Sequence, residues 1–123
     1  MIELVVEGRC NGCQACVDVC PRNVFEVGPD GRALIARQAD CQTCFLCELY
    51  CPVDALYVAP EYEQARTVDA GAVLASGLLG QYRRDSGWGE WAATVPNEHW
   101  RMGQIFERAR AMAAAVPEKT PPG

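Results

Sequence analysis

The chain has no cysteine after Cys51, one histidine, and no long apolar run. Its longest uninterrupted apolar stretch is Ala111 to Val116, whereas a helix needs about 20 apolar residues to cross a bilayer. The sequence therefore predicts no membrane span. The opening residues lack a basic start followed by an apolar stretch, so we expect no secretory signal. We accordingly expect a cytoplasmic protein, in a reducing compartment where structural disulfides are rare.

Positive charge is also scarce. The chain has 11 Lys and Arg against 16 Asp and Glu, for a net charge of −5. This balance disfavours a nucleic-acid partner. The single histidine, His99, has no cysteine or carboxylate pattern around it beyond Glu98, and we interpret it as a residue of a helix N-terminus. Because no nucleophile–base set is visible either, the sequence predicts no catalytic residues.

The cysteines form an internal repeat. All eight lie between Cys10 and Cys51. The first copy reads C-N-G-C-Q-A-C-V-D-V-C-P from Cys10 to Pro21, and the second reads C-Q-T-C-F-L-C-E-L-Y-C-P from Cys41 to Pro52. The offset is 31 residues at every cysteine, and the likeness continues through the five residues that begin at Asn23 and Asp54. Each copy therefore predicts a cysteine-rich loop, a short helix, a proline, a turn and a strand.

This C-x2-C-x2-C-x3-C-P pattern resembles the cysteine run of bacterial-type 2[4Fe-4S] ferredoxins, and the resemblance covers residues 1–60. It implies two [4Fe-4S] clusters, single-electron transfer and no substrate chemistry. It also implies that the fourth cysteine of each run binds the cluster of the other run. Cluster I would then be held by Cys10, Cys13, Cys16 and Cys51, and cluster II by Cys41, Cys44, Cys47 and Cys20.

Zinc binding is the alternative interpretation of the same cysteines. Pairs of C-x2-C are common in zinc ribbons, and eight thiolates would suit two sites of four cysteines each. Zinc pairs usually have a longer spacer between them, which favours iron–sulfur clusters here. Small or polar loop residues, namely Asn11, Gly12 and Thr43, would let backbone N–H groups approach the sulfurs.

The pattern predicts an α+β fold for residues 1–60, with the ferredoxin-like order β-α-β-β-α-β. Strands are expected at Ile2–Glu7, Val24–Val27, Ala33–Ala36 and around Tyr57, and short helices at Ala15–Val19 and Phe45–Tyr50. The turn sequence Gly28-Pro29-Asp30-Gly31 predicts a hairpin of the second and third strands. Eight acidic residues, Glu48 among them, outnumber four arginines in this part, which predicts an acidic surface that attracts basic partners.

The rest of the chain is predicted to be largely irregular and helical. A helix is expected over Val68–Ala75, with Asp69 as its N-cap and glycines 77 and 80 as stops. An extended arm is expected from Gly80 to Pro96. The strongest helix is expected from Asn97 to Val116, and residues 117–123 are expected to be disordered. The apolar stripe of this last helix consists of Met102, Ile105, Phe106, Ala109, Met112, Ala113 and Val116.

Residues 61–116 suggest a tethering segment. They contain all three tryptophans of the chain, and aromatic residues are enriched at the centres of interfaces. We expect this segment to wrap around a larger redox enzyme, because its large apolar side chains left in water would be an aggregation hazard, namely those of Leu78, Leu79, Tyr82, Trp88 and Trp91. In layout the chain is similar to the small subunit of adenylylsulfate-reductase-type complexes, which implies a flavoprotein partner of the fumarate-reductase type. The alternative is a free ferredoxin whose tail packs on itself.

Overall fold

In the computed structural model, the chain is described over residues 1–95 and 102–116. Residues 1–60, called the head below, contain strands β1 (Ile2–Val5), β2 (Phe25–Val27), β3 (Ala33–Ile35) and β4 (Leu56–Val58). They also contain helices α1 (Ala15–Val19) and α2 (Leu46–Tyr50), and a 3₁₀ turn at Gln38–Asp40. The expected order β-α-β-β-α-β is therefore observed. The fold is mixed α/β with small sheets, compatible with a ferredoxin-like fold.

The four strands form two separate antiparallel pairs. In the pair of β2 and β3, Phe25 lies opposite Ile35 and Val27 lies opposite Ala33. The turn between them is closed by the N–H of Gly28, which donates to the carbonyl of Arg32 at 2.7 Å, so the expected hairpin is confirmed. In the pair of β1 and β4, the two ends of the head meet, with Val5 opposite Leu56.

The repeat is visible in the backbone conformation as well as in the amino-acid sequence. Residues with positive φ recur at the same offset: Gln14 (64°) matches Phe45 (62°), and Asn23 (55°) matches Asp54 (50°). Gln14 and Phe45 each immediately precede a helix, so each cysteine loop enters its helix through a left-handed residue. The two halves of the head are therefore close conformational copies, as the sequence predicted.

Residues 61–116, called the extension below, begin with a helix that matches its sequence signals. Helix α3 (Ala70–Ser76) is preceded by Asp69, whose carboxylate accepts a hydrogen bond from the N–H of Ala72 at 2.9 Å. This is the expected N-cap, which stabilises a helix start by about 1 kcal/mol. The helix ends at Gly77, as predicted.

The prediction of an extended arm from Gly80 to Pro96 is wrong over its described part. Helix α4 (Gln81–Asp85) and a 3₁₀ turn (Gly89–Trp91) lie there, while Pro96 is outside the described residues. The helix forms because of contacts with the head. Gly80 has φ 77°, and a side chain there would lie 2.5 Å from the Asp54 carboxyl carbon. Contacts between residues far apart in the chain, such as Gly80 and Asp54, cannot be predicted from the local sequence pattern.

The last helix is α5 (Met102–Ala114). The expected start at Asn97, the residue His99, and the tail 117–123 lie outside the described residues, as do the side chains of Met102, Ile105, Phe106 and Ala109. Of the predicted stripe, Ala113 and Val116 are buried. Arg66 holds this end of the helix, because its guanidinium donates to the carbonyls of Ala113 (2.7 Å) and Val116 (2.9 Å).

The extension packs on the head. One group of buried side chains joins Tyr57 and Ala59 of the head to residues of the extension, namely Val68, Val73, Leu78, Leu79 and Val116. Tyr82 joins the core of the head itself. The expectation that these side chains need a partner to cover them is therefore wrong for Leu78, Leu79 and Tyr82, which are buried within the chain itself. Trp91 is half-buried, and Trp88 is 38 % exposed.

Candidate metal centres

Two cavities inside the head are surrounded by cysteines. The first is lined by Cys10, Cys13, Cys16 and Cys51. Valine and leucine side chains of the head form much of its remaining wall. We call this cavity I. It brings together three cysteines of the first run and the last cysteine of the second.

The second cavity is lined by Cys41, Cys44, Cys47 and Cys20. Its apolar wall includes Ile2, Val24, Phe25, Phe45 and Val58. We call this cavity II. The exchange of the last cysteine is thus reciprocal between the cavities. Four cysteines around one enclosed space are the donor set that a [4Fe-4S] cluster requires, so the residues present fit this group.

Backbone N–H groups point at the cysteine sulfurs. The N–H of Val24 donates to Cys20 Sγ at 3.5 Å, and that of Ala55 donates to Cys51 Sγ at 3.3 Å. Each donor follows its cysteine by four residues, so the two bonds occupy equivalent positions in the two copies of the repeat. Hydrogen bonds to the sulfurs are one of the ways in which a protein sets the potential of a cluster.

Cys41 accepts two such bonds, from the N–H groups of Thr43 (3.4 Å) and Ile2 (3.3 Å). The expected role of Thr43 is therefore confirmed. Asn11 acts differently from expectation, because its side-chain oxygen accepts from the N–H of Cys13 at 3.2 Å. The donors at Ile2, Val24 and Ala55 were missed, although the repeat of Val24 and Ala55 could have indicated two of them.

Burial keeps several of these thiols protonated in the absence of metal. Loss of water around Cys16 raises the pKa of its thiol to about 11, and burial also raises the pKa values of Cys47 and Cys51. A thiol must lose its proton to bind iron, so cluster assembly here is coupled to proton release. None of the eight cysteines, which all lie in the described part of the chain, forms a disulfide.

Glu48 is a site residue whose position the sequence did not reveal. It was counted with the acidic surface, but it is 5 % exposed and lines a further cavity with Phe45, Tyr57 and Tyr82. Burial raises the pKa of its carboxyl well above the usual value. The surface prediction is wrong for this residue, because the extension covers the helix that carries it.

Comparison with known proteins agrees with this geometry. The family model described as a 4Fe-4S dicluster domain matches residues 9–55, which include all eight cysteines. This match favours iron–sulfur clusters over zinc. An uncharacterised ferredoxin of Methanocaldococcus jannaschii is 44 % identical over 54 residues, which span 42 % of this chain and 86 % of that protein. A ferredoxin of Methanothermococcus thermolithotrophicus is 40 % identical over 52 residues, or 41 % of this chain and 85 % of that protein.

A longer match reaches beyond the head. NADH-quinone oxidoreductase subunit I 2 of Aquifex aeolicus is 30 % identical over 103 residues, which span 76 % of this chain and 49 % of that protein. Among the helices in the described ranges, none combines the length and apolar character needed to cross a membrane. The chain is an electron-transfer protein rather than a catalytic enzyme, and it belongs to the ferredoxin family, in the type that carries two [4Fe-4S] clusters.

Proposed function

We propose that cavity I holds cluster I on Cys10, Cys13, Cys16 and Cys51, and that cavity II holds cluster II on Cys41, Cys44, Cys47 and Cys20. The observation that carries this assignment is the lining of the two cavities, each with three cysteines of one run and one of the other. A bound [4Fe-4S] cluster accepts and releases a single electron. The protein supplies apolar walls against water and N–H donors to the sulfurs.

We further propose that the protein relays electrons between a larger oxidoreductase and an outside donor or acceptor. The match to an oxidoreductase subunit supports this role, because it covers more of the chain than the head alone. A flavoprotein of the fumarate-reductase type, bound through residues 61–116, is the proposed partner. Flavins connect two-electron substrate chemistry to one-electron carriers. A reducing cytoplasm would suit eight free thiols.

Two exposed aromatic side chains, Trp88 and Tyr50, support a docking surface where the extension meets the head. Trp88 is 38 % exposed and meets Tyr50, which is 44 % exposed, edge to face at 5.5 Å between ring centroids. Tyr50 immediately precedes Cys51, which lines cavity I. Large aromatic residues of this kind anchor protein interfaces.

A second candidate is a free ferredoxin that shuttles between partners. The observation that favours it is the packing of the extension on the head, which leaves Leu78, Leu79 and Tyr82 buried without any other protein. The two shorter relatives described above are themselves named ferredoxins.

Anaerobic purification at native expression level separates the two candidates. The relay subunit should co-elute with a larger chain that carries flavin, detected by absorbance and mass spectrometry. Trp88→Ala should weaken this co-elution, while Leu34→Ala, which changes a side chain 48 % exposed on the hairpin of the head, should leave it intact. Elution of the wild-type chain alone, with both clusters, would refute the subunit role and support the shuttle.

A further inference from the structure

The internal repeat makes the surroundings of the two cavities directly comparable. Several first-run residues around cavity I, such as Cys10 and Gln14, have counterparts 31 positions later around cavity II, and second-run residues such as Cys51 have counterparts 31 positions earlier. The exposure of these counterparts can therefore be compared directly.

The extension covers the loop of cavity II. Phe45, which lines that cavity, is 3 % exposed and stacks on Tyr82 with ring centroids 4.8 Å apart. Leu49, one helical turn further on, is buried as well, and its carbonyl accepts a hydrogen bond from the buried guanidinium of Arg83. Helix α4 thus lies over the second cysteine run.

The loop of cavity I has no such cover. Gln14, at the position that corresponds to Phe45, is exposed, and so is Asp18, which corresponds to Leu49. Cys13 is the one exposed cysteine of the eight, whereas its counterpart Cys44 is half-buried. At these positions the cysteine loop of cavity I is more exposed to solvent than the loop of cavity II.

The open loop is also held in a fixed shape. Arg32 Nε donates to the carbonyl of Cys10 at 3.2 Å, and the Gly12 backbone passes so close to Gly31 that a side chain would lie 2.9 Å from its carbonyl oxygen. Together the loop and the hairpin turn form a shallow concave surface. It is lined by Cys10, Asn11, Gly12, Gln14, Asp30, Gly31 and Arg32.

We propose that this surface, the loop Asn11–Gln14 with the hairpin turn Asp30–Arg32, is where an outside one-electron carrier protein docks. The proposal rests on the electron relay proposed above and names the cluster that faces outward. The surface is polar and carries charges of both signs, which suits a transient redox contact of small area more than a permanent apolar interface. The cover on cavity II directs exchange with such a carrier to cavity I.

Two exposed glutamines provide a matched test. Gln14 lines cavity I and Gln42 lines cavity II, and both are exposed. The cluster-loaded, reduced protein is mixed at low ionic strength with anionic hexacyanoferrate(III) or cationic hexaammineruthenium(III), which stand in for the carrier. Gln14→Lys should raise the rate of oxidation by the anion about threefold and lower that by the cation, because a nearby charge acts on the approaching reagent. Gln14→Glu should do the reverse.

The same substitutions at Gln42 should change these rates much less. Equal or larger effects at Gln42 would overturn the proposal. The midpoint potentials of both clusters are measured in every variant, and a potential shift that accounts for the rate change would also overturn it. As an independent readout, redox-inert hexaamminechromium(III) should broaden the NMR signals of residues 28–32 more in Gln14→Glu than in Gln42→Glu. Iron content and EPR of the wild type report separately on the proposed function, since they test the clusters and not the docking surface.

Discussion

Gly12 and Thr43 occupy equivalent positions in the repeat, yet the structure requires glycine only at Gly12. Both have positive φ, 76° and 55°, so this backbone conformation alone does not exclude a side chain. At Gly12, however, a Cβ would lie 2.9 Å from the carbonyl oxygen of Gly31. The hairpin turn, which approaches the first cysteine loop at Gly12, imposes the requirement.

Gly12→Ala should therefore destabilise the cluster-loaded protein, by about 1–3 kcal/mol for the combined strain and contact. Thermal denaturation of the loaded protein under anaerobic conditions should show a lower midpoint. Gly8→Ala is the control, because its Cβ would meet nothing within 4 Å. An unchanged midpoint for Gly12→Ala would mean that the loop and the hairpin are not in contact.

At the residue scale, the sequence indicated the candidate ligands but not the residues that cover them. Cysteine spacing is a local pattern with few alternative meanings, so the eight cysteines could be named in advance. The burial of Glu48 and the stacking of Phe45 on Tyr82 depend on contacts between residues more than 30 positions apart. No periodicity of the sequence encodes such contacts.

At the element scale, helix α4 depends on its anchor in the head. Arg83 donates to the carbonyl of Leu49 and, through Nε, to a carboxylate oxygen of Glu90 at 3.1 Å. The guanidinium side chain is 10 % exposed, while Glu90 is 51 % exposed. This arrangement ties α4 and the following 3₁₀ turn to the end of α2, because one side chain contacts both.

Arg83→Ala should loosen α4 without removing either cluster. We expect amide hydrogen exchange over residues 81–91 to become about tenfold faster or more, which corresponds to about 1.4 kcal/mol, within the range for hydrogen bonds to a charged group. Arg84→Ala is the matched control, since Arg84 is 40 % exposed and makes a longer ion pair with Asp85 at 3.6 Å. Equal acceleration in both variants would contradict the anchoring role.

The contrast between α3 and α4 explains which elements the sequence could predict. Helix α3 carries its own start and stop signals, Asp69 and Gly77, and it forms where they indicate. Helix α4 has five residues, begins after Gly80 and has no side-chain cap, so its local signals were weak. Its packing on the head determines its conformation, as tertiary contacts commonly do for short helices.

At the scale of the whole molecule, the extension changes a symmetric head into an asymmetric protein. The two halves of the head share strand pairing, helix positions and N–H donors to sulfur, and the two shorter relatives match little more than this part of the chain. The extension covers Phe45 of the second cysteine loop, whereas its counterpart Gln14 in the first loop is exposed. This asymmetry gives two similar cavities different surroundings, which a relay with two distinct ends requires.

We propose that each cluster takes its fourth ligand from the other cysteine run. Four single variants, Cys16→Ala, Cys20→Ala, Cys47→Ala and Cys51→Ala, test it through EPR of the reduced protein together with iron content. We predict that Cys20→Ala alters the same centre as Cys47→Ala, and that Cys51→Ala alters the same centre as Cys16→Ala. If Cys20→Ala instead altered the centre that Cys16→Ala alters, the crossed arrangement would be contradicted.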